Sequence, residues 1–189
     1  MHKKLLLLTA VFFVITACAK PPTDEMTNAA NTLNRAENDA NAVAYAGDTL
    51  NRARDALQKM QEEAASKRYD SAKVYAGDVV TYAERAISEG AAAAAQLKDQ
   101  AANLIGSVQA LLSQAEAALN SAQINNVQAD FSDLAKALDS AKQTFDNAKN
   151  SLTANNFQDA IDKSQSIRSV LGDISSRIND AARAMSKKS

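Results

Sequence analysis

After Pro21 and Pro22 the chain has no further proline, and only five glycines interrupt it. Alanine is its commonest residue and β-branched runs are short, so local propensity favours helix almost everywhere. Apolar residues recur at spacings of three and four, the pattern of helices packed on helices. Met26, Ala30, Leu33, Ala36, Ala40 and Val43 mark a first stripe, and Leu50, Ala53, Leu57, Met60 and Ala64 a second. A third runs from Val79, Ala83 and Ala86 to Leu97, Leu104 and Ile105, and a fourth covers Leu111, Ala115, Ala118 and Ala122. Leu134, Leu138, Ala141, Phe145 and Ala148 form a fifth, and Ile161, Ile167, Val170, Leu171, Ile174, Ile178 and Ala181 the last. Lys67-Arg68, Asn125-Asn126 and Asn155-Asn156 are the turn candidates, with Gly47-Asp48 as a stop and a new cap. Thr23 or Asp24 offers the first N-cap. These signals predict an all-α fold of five or six helices, in antiparallel hairpins forming an elongated bundle.

The segment before the prolines has a different character. His2, Lys3 and Lys4 form a basic head, and Leu5 to Ile15 is apolar except for Thr9. Small residues and Cys18 follow. This is the order of a secretory signal peptide. About 11 apolar residues fall short of the roughly 20 that span a bilayer, so a cleaved signal is expected rather than an anchor helix. Val14-Ile15-Thr16-Ala17-Cys18 resembles the bacterial lipoprotein signal, whose cysteine is lipidated and becomes the first residue. The expected organisation is a signal peptide over 1–17, a lipidated cysteine and linker over 18–22, an N-terminal helical hairpin domain over 23–90, a C-terminal one over 91–186, and a tail over 187–189. Ala19 and Lys20 stand where aspartate retains lipoproteins at the inner membrane of enteric bacteria. The outer membrane, facing the periplasm, is therefore the expected destination.

Composition excludes several chemistries. Cys18 is the sole cysteine and is consumed by the anchor, while the sole histidine, His2, lies in the removed segment. Zinc sites of Cys and His, Cys–His pairs and Ser–His–Asp triads need residues the mature chain lacks. With 21 Lys and Arg against 22 Asp and Glu the charge is −1, and loss of Lys3 and Lys4 takes it to −3. Nucleic acid, which calls for a basic footprint, is not an expected partner. Arg183, Lys187 and Lys188 read as a helix-ending tail.

Two internal similarities stand out. Tyr45-Ala46-Gly47-Asp48 recurs as Tyr75-Ala76-Gly77-Asp78. Ala53, Leu57 and Tyr69-x-x-Ala72 match Ala141, Phe145 and Phe157-x-x-Ala160 at a constant offset, which suggests two related hairpins. The glycine notch beside a tyrosine could dock a partner's backbone or a glycan ring. The preferred reading has Gly47 ending a helix and Gly77 letting two helices touch. Tyr69, Tyr75 and Tyr82 could form a stacking stripe, though hairpin packing with hydroxyls at the surface is the favoured role. Glu62-Glu63, or Asp78 with Glu84, lack the fixed carboxylate separation of glycosidases and the ligand-gathering turn of calcium sites. They read as solvated helix faces.

Residues 17–90 resemble a bacterial lipoprotein family known only as a domain of unknown function. The resemblance rests on Ala17-Cys18-Ala19, Pro21-Pro22-Thr23-Asp24-Glu25-Met26, Leu50-x-x-Ala53-Arg54-x-x-Leu57, Tyr69-Asp70-x-Ala72 and Ala83-Glu84-x-Ala86. It implies a lipid-anchored helical hairpin domain and carries no catalytic residue. The aromatic-x-x-Ala after the turn gives a distant tetratricopeptide likeness, without that repeat's Leu-Gly-x-x-Tyr element or closing proline. The functional expectation is a non-enzymatic, lipid-anchored envelope scaffold or protein-interaction module without cofactor or metal. Its expected partners are the membrane, envelope proteins and peptidoglycan. A structural envelope spacer is the alternative; the ending Lys187-Lys188-Ser189 lacks the terminal lysine of lipoproteins joined covalently to the wall.

Overall fold

The computed structural model describes residues 20–187, and within them every regular element is a helix. The six are α1 (Thr23–Glu37), α2 (Ala40–Tyr45), α3 (Gly47–Ala65), α4 (Tyr69–Ile124), α5 (Phe131–Thr153) and α6 (Phe157–Ser186). The fold is all-α. The third and fourth stripes belong to one helix of 56 residues, because neither Gly90 nor the Ala91–Ala95 run breaks it. The signal segment, Cys18 and Ala19 lie outside the described residues, as do Lys188 and Ser189.

The chain divides into two compact units, one of residues up to Asp39 with Gly47–Ala86, the other of Ala40–Ala46 with 87 onward. The sequence division at residues 90 and 91 lies four residues further along α4.

Unit 1 consists of α1, α3 and the first part of α4. Leu33, Leu50, Met60 and Val79 supply its large buried side chains, and Ala29, Ala36, Ala53, Ala72, Ala76 and Ala83 line the helix contacts at little or no exposure. α1 starts one residue earlier than a Thr23 cap would require. Pro22 is its N-cap, without a side-chain bond, and its carbonyl accepts from the Met26 N–H at 3.0 Å. Asp24 and Glu25 still occupy the first turn, where the helix dipole favours negative charge. The helix stops at Asn38, whose amide bonds back to the Asn34 carbonyl at 2.8 Å. Asn competes with the helix in this way by offering the backbone a local alternative. The break resets the phase of the stripe. Leu33 and Ala36 are buried as the spacing predicts; past the break Ala42 is buried in place of Val43, which is 54% exposed, and within α1 itself Ala29 rather than Ala30 faces the core.

Unit 2 contains α2, the rest of α4, α5 and α6, the last three in up-down-up order. Val108, Leu112, Leu119, Leu134, Leu138, Phe145, Ile161, Ile167, Leu171, Ile174 and Ile178 form its continuous core. A fully buried side chain of this size contributes about 1.5–3 kcal/mol. Cross-helix ion pairs record the register: Lys142 to Glu116 at 2.5 Å joins α5 to α4, and Arg177 to Asp133 at 2.8 Å joins α6 to α5. Asp130 caps α5, its carboxylate accepting the Asp133 N–H at 3.1 Å. The close glycine contact also lies here. A Cβ on Gly90 would sit 2.5 Å from the Ala42 nitrogen and 2.6 Å from the Asn41 carbonyl carbon, so the α2 backbone rests directly on α4.

All three expected turns form, and they share one geometry. Lys67, Asn126 and Asn155 have φ of 58°, 53° and 60°, the left-handed region. In each, that residue's N–H bonds three residues back and the next N–H five back: Lys67 to Ala64 and Arg68 to Glu63, Asn126 to Gln123 and Val127 to Ala122, Asn155 to Leu152 and Asn156 to Ser151. This is the Schellman termination. The α3–α4 and α5–α6 turns therefore coincide at the offset that relates their sequences. The Tyr-Ala-Gly-Asp repeat is not matched structurally. Its first copy spans the α2–α3 break, and its second lies inside α4. Gly47 opens α3 rather than ending a helix, and Gly77 is exposed with nothing within 4 Å of its would-be Cβ, so no helix touches it there.

Two substitutions separate these features. Lys67→Gly removes the left-handed penalty of a side chain and should raise stability by about 1 kcal/mol. Gly90→Ala should lower it by about 1–3 kcal/mol, since the added methyl meets backbone that must shift. Denaturant unfolding followed by circular dichroism measures both.

Candidate functional site

The side chains singled out by the sequence are dispersed by the fold, except in one place. Tyr75, Asp78 and Tyr82 on α4 face Arg52, Asp55 and Lys59 on α3 across an open groove of about 190 Å³ in unit 1. The spacing explains the assembly. Residues seven apart lie two turns along one helix face, so Arg52 with Lys59 and Tyr75 with Tyr82 form parallel walls. Ala56 at the floor lets the walls approach. The Lys59 ammonium sits 5.9 Å from the Tyr75 ring centroid, at the outer limit of a cation–π contact. Tyr69 begins α4, half-buried, and does not line the groove.

Of the other carboxylates, Glu84 is exposed on α4 and joins no pair with Asp78, while Glu62, Glu63 and Glu25 make structural contacts. Glu63 takes a two-pronged bond from Arg68, one arm at 2.8 Å, across the α3–α4 turn. That hydrogen bond holds the Glu63 carboxyl below the ordinary range, with desolvation opposing it and the guanidinium charge adding to it. Glu62 accepts from Gln58 at 2.9 Å. Glu25 bonds Lys73 at 2.7 Å, linking α1 to α4. Among the described residues no cluster of three or more His, Cys, Asp or Glu could hold a metal ion.

Sequence inspection did not single out Ser151, Asp159 and Lys163, which meet at the α5–α6 turn. Ser151 Oγ lies 2.5 Å from Asp159 Oδ2 and 2.9 Å from the Asn147 carbonyl, its single proton serving one acceptor at a time. Lys163 donates to Asp159 Oδ2 and, at 3.3 Å, to Ser151 Oγ. A serine beside a lysine suggests a nucleophile and its base, but that chemistry needs an amine with a free lone pair. Here the ammonium is committed to a carboxylate and the serine is 8% exposed. The trio clamps the turn. Only its spacing on two successive helices could have marked it, and that spacing means nothing until the turn is known.

Two larger grooves, of about 380 and 360 Å³, run along unit 2. One lies between α4 and α6 around Gln114, Arg168 and Ser169, the other between α4 and α5 around Asn120 and Asp139. Both are open surface features lined by mixed polar and aliphatic side chains. Compared with family models, with curated proteins and with solved structures, the chain matches none.

The turn clamp has a pH signature. The Lys163 hydrogen bond, followed by that of Ser151, depresses the Asp159 pKa. A depressed carboxylate stabilises the fold above its unfolded pKa, about 3.9 for aspartate, and that stability is lost as pH falls through the lower folded value. The stability gap between the native protein and Asp159→Asn should accordingly be present at pH 6 and close as acid protonates the native carboxylate. Unfolding midpoints measured at stepped pH give this directly.

Proposed function

We propose that this chain is a lipid-anchored cell-envelope protein whose helical domain acts by binding rather than catalysis. The observation that carries the reading is the order in the sequence: basic head, short apolar run, small residues, then Cys18 directly before a two-proline linker. The first helix begins at Thr23, five residues after that cysteine, which suits a short tether. No helix of the described residues is long and apolar enough to cross a membrane. The binding reading draws support from the absence of histidine and of a free thiol in the processed chain, the groups best suited to acid–base and nucleophilic work near neutral pH. It also draws support from the open grooves of both units, which offer contact surface on rigid helices. Ala19 and Lys20 favour the outer membrane as destination.

Stable anchoring needs two or more acyl chains, since one of myristoyl length gives only marginal binding. Cys18→Ser should abolish incorporation of labelled palmitate and leave the protein unprocessed or released from its anchored form. Metabolic labelling with membrane fractionation tests this. A processed Cys18→Ser protein that remained with membranes would overturn the proposal, and density-gradient separation of the two membranes tests the destination.

A further inference from the structure

We propose that the α3–α4 groove of unit 1 is a binding site for a neutral glycan chain, formed by Tyr75, Asp78 and Tyr82 on one wall and Arg52, Asp55 and Lys59 on the other. The groove is two helical turns long. At 1.5 Å per residue the tyrosines are about 10.5 Å apart along α4, so a ligand meeting both rings is an extended chain lying parallel to the helices. A volume of about 190 Å³ is below the roughly 300–1,000 Å³ of pockets that enclose a compact ligand, and suits a strand laid along a surface.

The lining selects the ligand class. Two cations face two carboxylates, so the site is electrically balanced. A phosphate backbone would gain nothing from Arg52 and Lys59 that Asp55 and Asp78 do not oppose. Apolar anchors of a peptide partner would find only Ala56 besides the tyrosines. A sugar chain fits both features of the lining. Its C–H faces match the electron-rich faces of tyrosine rings, and its hydroxyls donate to carboxylates and accept from guanidinium, ammonium and phenol.

The groove's charges are also uncommitted. Asp55 stands three residues after Arg52 and four before Lys59, spacings at which helix ion pairs close. Among the described residues neither pair closes, and Asp78 bonds neither cation, while the flanking Arg54 and Arg68 are tied to Glu37 and Glu63. Lys59 is held only by its loose contact with Tyr75, which a sugar ring can displace. The inference stands on this geometry and can fail independently of the anchoring reading, which fractionation tests.

The experiment titrates the full acylated protein in detergent micelles with two probes, a β-1,4-linked N-acetylglucosamine tetramer and maltotetraose, followed by saturation-transfer NMR. Saturable binding at about millimolar strength is expected for at least one tetramer, weak because the groove is open. Binding of the acetylated tetramer alone would point to an amino-sugar polymer such as the wall glycan, and binding of both to neutral hexose chains in general. Tyr82→Ala should weaken binding about tenfold with circular dichroism unchanged, and Tyr82→Phe should retain most of it, since the ring does the stacking. Asp78→Asn gives a second reading should Tyr82→Ala disturb the fold. Arg168→Ala, in the unit 2 groove, should bind as the native protein does. Failure of both tetramers to saturate would overturn the proposal. So would binding that neither Tyr82→Ala nor Asp78→Asn alters in a folded protein.

Discussion

Contact between alanine-lined helix faces is the constraint on which unit 1 depends, whereas unit 2 adds a continuous core of large aliphatic side chains and Phe145. Alanine lets helices approach toward the lower end of the 8–10 Å interaxial range, but each buried methyl contributes little beside a leucine or phenylalanine. The unit 1 interior is mostly alanine, with Leu33, Leu50, Met60 and Val79 as its large side chains. A core of that kind needs long helices with high intrinsic propensity, and the chain supplies them. At Gly90 the same tendency reaches its limit, where even a methyl group is excluded by the α2 backbone.

Register is set by more than the shape of the interior. Three Schellman turns stop α3, α4 and α5 at defined residues, each through one residue in the left-handed region. Ion pairs then link neighbours: Arg54 with Glu37, Lys73 with Glu25, Lys142 with Glu116 and Arg177 with Asp133. Such exposed pairs add at most about 1 kcal/mol each. Their value in unit 1 is in choosing among sliding arrangements that smooth alanine faces would otherwise tolerate equally.

The distribution of paired and unpaired groups bears on function. Where a charge is structural it has a named partner across a turn or between helices, as in the Ser151–Asp159–Lys163 clamp. In the α3–α4 groove both signs of charge and two phenols face one gap with no ion pair closed among them and only the loose Lys59–Tyr75 contact.

Helix content, the three turns and the large core residues of α5 and α6 were legible in the sequence, because propensity, apolar spacing and Asn or Lys turn residues are local properties. The constant-offset similarity suggested two related hairpins, and only the structure showed that the α3–α4 and α5–α6 turns share one geometry. The phase of the stripe in α2 was not legible, since the two-residue break at Asn38 rotates that short helix so that Ala42 rather than Val43 is buried. Gly77 and Gly90 could not be told apart either; whether a glycine is open or pressed against a backbone depends on a neighbour distant in the chain. For the groove, the tyrosine spacing was visible but its facing wall was not. Arg52, Asp55 and Lys59 became part of a site only when the Lys67 turn folded α3 back along α4.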